Sequence, residues 1–500
     1  MRYLKPIHLF LSVISLCWSP NSFCQDADTV SPLHQVTLKQ AHIGSLAIDT
    51  MLLNSYSVAP LNIQQFYLKA RVVFENNKAD FTNKQITAAA LKNEIGLMGG
   101  PMLGDVKANG ISLWLRPSTK TPIQIKVTAS DNTQEKIYTI KPVVSGKEQR
   151  IELNDLSPST GYKYVVTSKN KHLAEGTFKT APEADNTKQL RLTFGSCFHK
   201  IGLHNTNLVN AILDRNPQAM LLLGDIAVDD RENNFSMHRA DYLLRDVSPA
   251  WKKLASNVPL YTSWDDHDYL NNDLSGVPER FSETDREELR SLWLRNWNNP
   301  PNNVEGIYFN TRIGQIEVIM LDTRSCRKVD ERGEYGSYLG TEQLKWLKDI
   351  LKSSTAPFKI ISSGTMWSDY ITNGKDSWGT WDTVAREEIF NFIEKEYISG
   401  ILLISGDRHG ARGFTIPRES GFNLHEFEAA SLGGVPGPDA IAKDTENQLF
   451  GYDGEGLKAF GEFTFFVENS EPLVTFRLID EFGNIMEEHR LSLSQLTPQK

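Results

Sequence analysis

Hydrophobic positions change their period along the chain, and those changes divide it. Between about Gly99 and Pro182 apolar residues alternate with polar ones, at Ile111, Leu113 and Leu115, at Ile123, Ile125 and Val127, and at Tyr162, Tyr164 and Val166. A period of two belongs to strands with one buried face, and Asn154-Asp155, Pro158 and Gly161 supply the turns. From Gln189 onward the pattern becomes short continuous apolar runs at 191–196, 219–223, 258–263, 316–321, 358–362 and 400–404. Helical stretches near 205–214, 283–296, 341–353 and 383–397 interleave with them. In 341–353, Leu344, Leu347 and Leu351 recur at i, i+3 and i+7, Trp346 and Ile350 widen the face, and Thr341 is placed to cap. Strands alternating with helices predict α/β layers around mixed sheets. From Phe460 the alternation returns, with a hairpin turn expected at Glu481-Phe482-Gly483-Asn484 and the last strands joining a sheet.

The N-terminal part is less readable. Ile86, Leu91, Ile95 and Leu97 around an alanine run predict one helix over 85–97. The rest of 25–98 is an extension to which the sequence assigns no function. Residues 1–24 have the make-up of an export signal: Arg2 and Lys5, an apolar stretch from Leu9 to Trp18, and the small-x-small Ser22-Phe23-Cys24. A polar linker, Pro182 to Lys188, separates the alternating region (99–182) from the α/β region (189–500).

Composition adds limits. A 500-residue chain with 40% hydrophobic and 23% charged residues has ample material for two or three cores. The formal charge is -9, and loss of Arg2 and Lys5 from an acid-free leader takes it to -11. Without a basic block, nucleic acid is not an expected partner. No apolar run long enough to span a bilayer follows the leader, so a periplasmic or secreted protein without a transmembrane segment, and a monomer, is expected. Of the four cysteines, Cys17 and Cys24 lie in the leader; Cys197 and Cys326 allow at most one bridge.

The chemistry gathers where apolar runs end. Leu192-Thr193-Phe194-Gly195 runs into Ser196-Cys197, Leu221-Leu222-Leu223 into Gly224-Asp225, Tyr261-Thr262-Ser263 into Trp264-Asp265-Asp266-His267-Asp268, and Ile401–Ser405 into Gly406-Asp407-Arg408-His409. Repeated strand endings in metal-ligand residues imply a metal centre at a sheet's C-terminal edge. A dinuclear hydrolytic site needs a carboxylate between two cations. Asp225 suits that place, since it ends the most hydrophobic strand and follows a glycine that permits a tight turn.

Ser196-Cys197, Gly224-Asp225, Trp264 to Asp268, Leu321-Asp322-Thr323-Arg324 and Gly406 to His409 occur in the order seen in alkaline phosphatase D-like metallophosphatases, which this chain resembles over roughly 99–480. Residues 156–164 with 176–180 resemble a fibronectin type III sandwich in which Tyr162 makes a corner contact. The resemblance implies a calcineurin-like four-layer metallophosphoesterase domain preceded by that sandwich. It also implies hydrolysis of phosphomonoesters or phosphodiesters, small or polymeric. Carried over by position, Cys197, Asp225, Asp266, Asp407 and His409 are metal ligands and His267 is the catalytic imidazole, oriented by Asp265 or Asp268. Asn271 and Asn272 orient phosphate, and Arg324 and Arg408 neutralise phosphoryl charge or form structural ion pairs. Two cations would acidify a bound water for in-line attack while His267 protonates the leaving alkoxide.

One departure matters. The family tyrosine three residues after the Gly-Asp carboxylate is Val228 here, followed by Asp229 and Asp230. The expected iron with calcium is thereby open to zinc or manganese, with Asp229 a candidate replacement ligand. Val228 also keeps alive a noncatalytic surface-binding protein, and Asp265-Asp266 a glycoside hydrolase, although adjacent carboxylates rarely face each other across a bond. Loops at 227–242, 272–284 and 366–382 would set pocket depth, and Trp367, Tyr370, Trp378 and Trp381 either line it, form a lid or pack.

Overall fold

In the α/β region, neighbouring side chains of one strand enter different cores. Ala219 and Leu221 join the layer between two sheets, whereas Met220 and Leu222 join a layer under helices. On the other side Ile360, Leu402 and Ile404 face inward while Ile361, Ile401 and Leu403 face a second helical layer. Continuous apolar runs are what a strand covered on both faces requires.

The computed structural model describes residues 30–301, 304–371 and 376–499, so the proposed leader, 1–24, lies outside the described residues. Two mixed sheets stack between helices. The six-stranded sheet runs, edge to edge, Leu260–Thr262, Ala219–Leu222, Leu190–Gly195, Ala459–Glu468, Glu471–Asp480, Ile485–Ser492, its first three strands mutually parallel. The seven-stranded sheet contains Ile316–Met320, Phe358–Ser362, Ile401–Ser405 and Asn423–Ala430 as consecutive parallel neighbours. The C-terminal tail joins the first sheet as expected, with 481–484 turning between its last two strands.

Seven strands between Leu97 and Lys179 form separate sheets of three and four. Tyr162 sits at a corner there, its Oη accepting the Ser157 N–H at 2.8 Å.

Several boundaries differ from the sequence reading. The helix expected over 85–97 is Lys84–Lys92; Asn93 caps it and Glu94 turns left-handed (φ 58°), after which Leu97 opens a strand. Gly340, not Thr341, caps the helix Thr341–Ser353. Within 227–242, the helix Phe235–Val247 begins behind an Asn234 cap. The last helix starts early, at Trp378, and kinks at Asp382. Trp367 and Trp378 stack at 4.7 Å in the core outside the seven-stranded sheet, and Tyr370 packs on Phe414 at 5.0 Å. Arg327 lies over the Trp381 ring, so these aromatics pack and none borders the strand-end cavity.

The extension is helical: Leu38–Ile43, Leu46–Leu53, Leu61–Asn77 and Lys84–Lys92. Its Phe66, Tyr67 and Phe74 share a core with Leu243, Leu244 and Trp251 of the α/β region. Among the described residues no helix is long and apolar enough to cross a membrane.

Candidate metal centre

Three parallel strands of the six-stranded sheet and Ile401–Ser405 of the seven-stranded sheet deliver their C-terminal ends to one place. The backbone there is bent: Cys197 (φ 57°), His199 (45°), Asp225 (56°), Asp407 (73°) and His409 (39°) all occupy the left-handed region, which costs non-glycine residues energy and is tolerated where surroundings over-determine it. Those surroundings are specific. Cys197 N–H donates to the Gly224 carbonyl at 3.1 Å and His199 N–H to that of Asp225 at 2.8 Å. Gly224 (φ 105°) permits close stacking of loops, since a Cβ would lie 2.5 Å from Asp265 Cβ. Asp268 accepts the N–H groups of Asp225 (2.5 Å) and Ile226 (3.2 Å), tying one strand end to the next.

Cys197, His199, Asp225 and His409 offer ligand atoms within 4.8 Å of one another. Nε2 of His199 and Nε2 of His409 approach to 3.4 Å. Their far nitrogens are committed: His199 Nδ1 is 2.9 Å from Asp229 Oδ1 and His409 Nδ1 is 2.7 Å from the Pro436 carbonyl. A carboxylate and a carbonyl only accept, so both Nδ1 atoms carry the proton and both Nε2 lone pairs face inward. Burial, reinforced by His199, brings His409 down to about 3, which keeps that lone pair free. Burial and then Asp225 push the Cys197 thiol up.

Asp225, Asp265, Asp266 and Asp407 make a second group with the same spacing. Asp225, Asp265 and Asp266 are buried and Asp407 half-buried, and Oδ1 of Asp225, Oδ2 of Asp265 and Oδ1 of Asp266 have no hydrogen-bond partner. Burial raises Asp225 and Asp265 and takes Asp407 to about 6; for Asp266 burial is outweighed by Arg324 and His267, which lower it. Buried carboxylate oxygens left unpaired are unfavourable without a cation. A sulfur–nitrogen–oxygen set beside an all-oxygen set, with Asp225 in both, fits the binding of metal ions.

A cavity of about 350 Å³ opens over the second group, lined among others by Asp266, His267, Asn272, Asp407, Arg408 and His409. Larger hollows of about 870 and 1040 Å³ lie at the sandwich edge and beside residues 325–343; neither is lined by a member of the two groups, and the second shares Asp273 with the strand-end cavity. Arg408 reaches Asp407 with Nη1 (3.0 Å) and leaves Nε without a partner. His267 Nδ1 donates to Asp230 Oδ1 at 2.7 Å, so neither Asp265 nor Asp268 orients this ring. Burial alone would lower His267, but Asp266, Asp225 and Asp230 raise it well above the ordinary histidine value.

Other expectations shift. Arg324 is fully buried, its guanidinium bound to Asp265 (2.5 Å) and Asp376 (3.0 Å) and 3.7 Å from Asp266. It borders no cavity surface of the site, so it holds carboxylates rather than phosphate. Asn272 lines the cavity, while the Asn271 amide is taken by Glu232 at 3.3 Å. Val228 is buried in the helix-side core, and Asp229 backs His199 instead of joining the first ligand group. Cys197 and Cys326 are both free thiols.

The sequence reading missed His199, Asp230 and His42, and did not name Asp265 as a metal ligand. His199 was within reach as the second member of Cys197-x-His199, two donor residues at i and i+2 just past a strand end. His42 carried no local signal: it lies in the extension, with Nδ1 3.2 Å from Asp230 Oδ2.

A family model described as PhoD-like phosphatase matches residues 224–448. Alkaline phosphatase D of Bacillus subtilis (strain 168) is 21% identical over 381 residues, 62% of this chain and 64% of that protein, so the chain spans less than two thirds of this curated relative's length. Among solved structures, that of PhoD superposes with a TM-score of 0.63 at 18% identity, covering 80% of this chain and 88% of the other. Purple acid phosphatase PPD1 from yellow lupin seeds gives 0.58 at 14% identity, covering 78% and 74%. At such identities the structural likeness speaks for the fold, a calcineurin-like arrangement of mixed sheets. Over residues 224–448 the chain is similar to the PhoD-like phosphatase family.

Proposed function

We propose that this protein is an exported, metal-dependent phosphoesterase acting on phosphomonoesters, phosphodiesters or both. The observation that carries the reading is Asp225, shared by two largely buried donor groups in which three carboxylate oxygens lack hydrogen-bond partners. Cys197, His199, Asp225 and His409 would hold one cation and Asp225, Asp265, Asp266 and Asp407 the other. Bound there, the pair would supply an acidified water and positive charge for phosphoryl oxygens.

The protein's own groups do the rest. Asp229 and the Pro436 carbonyl hold two imidazoles with their Nε2 atoms turned inward. Arg324 fixes the carboxylate array from beneath. Arg408 and Asn272 face the cavity and bind phosphoryl oxygens. His267, protonated beside Asp230 and Asp266, delivers a proton to the departing alkoxide.

Export is read from the leader at 1–24. The sheets of three and four strands, ordered Leu97–Lys107, Gly110–Pro117, Gln149–Asn154 and Glu135–Ile140, Ile123–Ala129, Gly161–Ser168, Lys171–Lys179, support a fibronectin type III-like scaffold. The test is elemental metal content of the purified protein, paired with hydrolysis of nitrophenyl phosphate monoester and diester before and after chelation. About two metals per chain with chelator-sensitive turnover is expected; a folded, metal-free, inactive protein would sink the reading.

A further inference from the structure

The N-terminal helices reach the strand-end site through one side chain. His42, near the end of Leu38–Ile43, places Nδ1 3.2 Å from Asp230 Oδ2, and its ring lies 4.6 Å from that of His267. The other oxygen of the same carboxylate, Oδ1, takes the His267 Nδ1–H at 2.7 Å and the Asn272 N–H at 2.9 Å. Asp230 therefore sits between two imidazoles, one on each oxygen. A carboxylate held on one oxygen can still turn about its Cβ–Cγ bond; held on both, its plane is set, and so is the ring that donates to it.

The chain around His42 is anchored with some force. Arg231 Nη1 donates to the His42 carbonyl at 3.2 Å, and Arg71 Nη2 to the Gly44 carbonyl at 2.6 Å. Both guanidiniums are buried and paired, Arg231 with Asp241 and Arg71 with Asp49, each at 2.7 Å. Gly44 adopts φ 56°, and a Cβ there would stand 2.0 Å from Arg231 Nη2, so the residue two after His42 is shaped for this contact. The family match begins at residue 224 and assigns nothing to this segment.

We infer that His42 is a positioning residue for proton delivery: through Asp230 it fixes the imidazole of His267, making the N-terminal helices a working part of the site. The inference rests on the proposed function for its catalytic consequence. Its structural half, the coupling of His42 to His267, stands apart from turnover.

The test compares His42→Ala, His42→Asn and His42→Phe in the full-length protein on two monoesters, nitrophenyl phosphate and a simple alkyl phosphate. A nitrophenolate leaves without a proton, an alkoxide does not. His42→Ala should lose about 10- to 30-fold in kcat on the alkyl ester, about threefold or less on the nitrophenyl ester, with KM nearly unchanged. His42→Asn, which keeps a donor close to the place of Nδ1, should recover most of the loss, and His42→Phe should not. Equal losses on both esters, or rescue by Phe alone, would overturn the inference, because either would mean His42 only packs.

Histidine-selective 15N spectra of the same proteins read the pair without substrate. The His267 Nδ1–H signal should shift in His42→Ala and return in His42→Asn; an unchanged signal overturns the inference. If wild-type protein hydrolyses neither ester while that signal still responds, the functional reading falls and the positioning role holds.

Discussion

Two buried clusters of charge lie close together in this molecule and differ in one respect. Where the N-terminal helices dock, Asp49 and Asp241 meet Arg71, Lys200 and Arg231; the two arginine contacts are 2.7 Å, and Lys200 Nζ is 3.4 Å from both carboxylates. At the strand ends, Asp225, Asp265 and Asp266 are as deeply buried and Asp407 half-buried, yet with Arg324 and Arg408 beside four carboxylates, three of their oxygens have no hydrogen-bond partner. Burial alone does not mark function. A compensated cluster positions elements against one another, whereas an uncompensated one stores affinity for a cation that the protein itself does not supply.

The sharpest break between the two is charge removal. Asp225→Asn should cut turnover about 10³-fold or more and strip metal, while the chelated protein melts no lower than wild type, since a desolvated carboxylate has been relieved; turnover, metal content and a melting curve check it. Asp241→Asn should do the reverse, costing about 3–5 kcal/mol of stability in urea unfolding by leaving Arg231 buried without its partner. A fall in Asp225→Asn stability of similar size would erase the distinction.

Acid should weaken the fold through its buried histidines. His204 and His238 are buried, and burial brings each from 6.5 to about 4. The unfolded chain then binds more protons than the folded one between those values. Stability should fall as pH drops from 6.5 toward 4, by about 3 kcal/mol per histidine once complete, and be indifferent to these groups above 7. Urea midpoints across that range measure it, and His238→Gln should flatten the slope.

Smaller effects refine the strand-end side. Asp229→Asn removes the acceptor behind His199 and should weaken metal affinity about 10- to 100-fold, read by competition with a chelating dye. Asn272→Ala should raise KM about threefold, whereas Asn271→Ala, whose amide already serves Glu232, should leave kinetics unchanged; equal effects would place both on phosphate.

Much of the fold was legible because it is written in local periods. The runs at 219–223, 316–321, 358–362 and 400–404 correspond to strands Ala219–Leu222, Ile316–Met320, Phe358–Ser362 and Ile401–Ser405. Boundaries failed where backbone angles outweighed pattern, as at Glu94, or where a cap lay one residue off, as at Gly340. Apolar spacing could not separate 85–92 from 93–97, because residues beyond a helix end can still be core.

The chain by itself determined that Cys197, Asp225, Asp266, Asp407 and His409 end apolar runs; that the ends of two different sheets meet at one site was decided by their stacking. Only the tertiary structure decided which carboxylate serves which imidazole. Asp230 and not Asp268 holds His267, Asp229 holds His199, Arg324 lies beneath the site, and His42 arrives from 188 positions before Asp230. Those pairings depend on distances of a few ångströms between residues remote in sequence, which packing sets and periodicity cannot record.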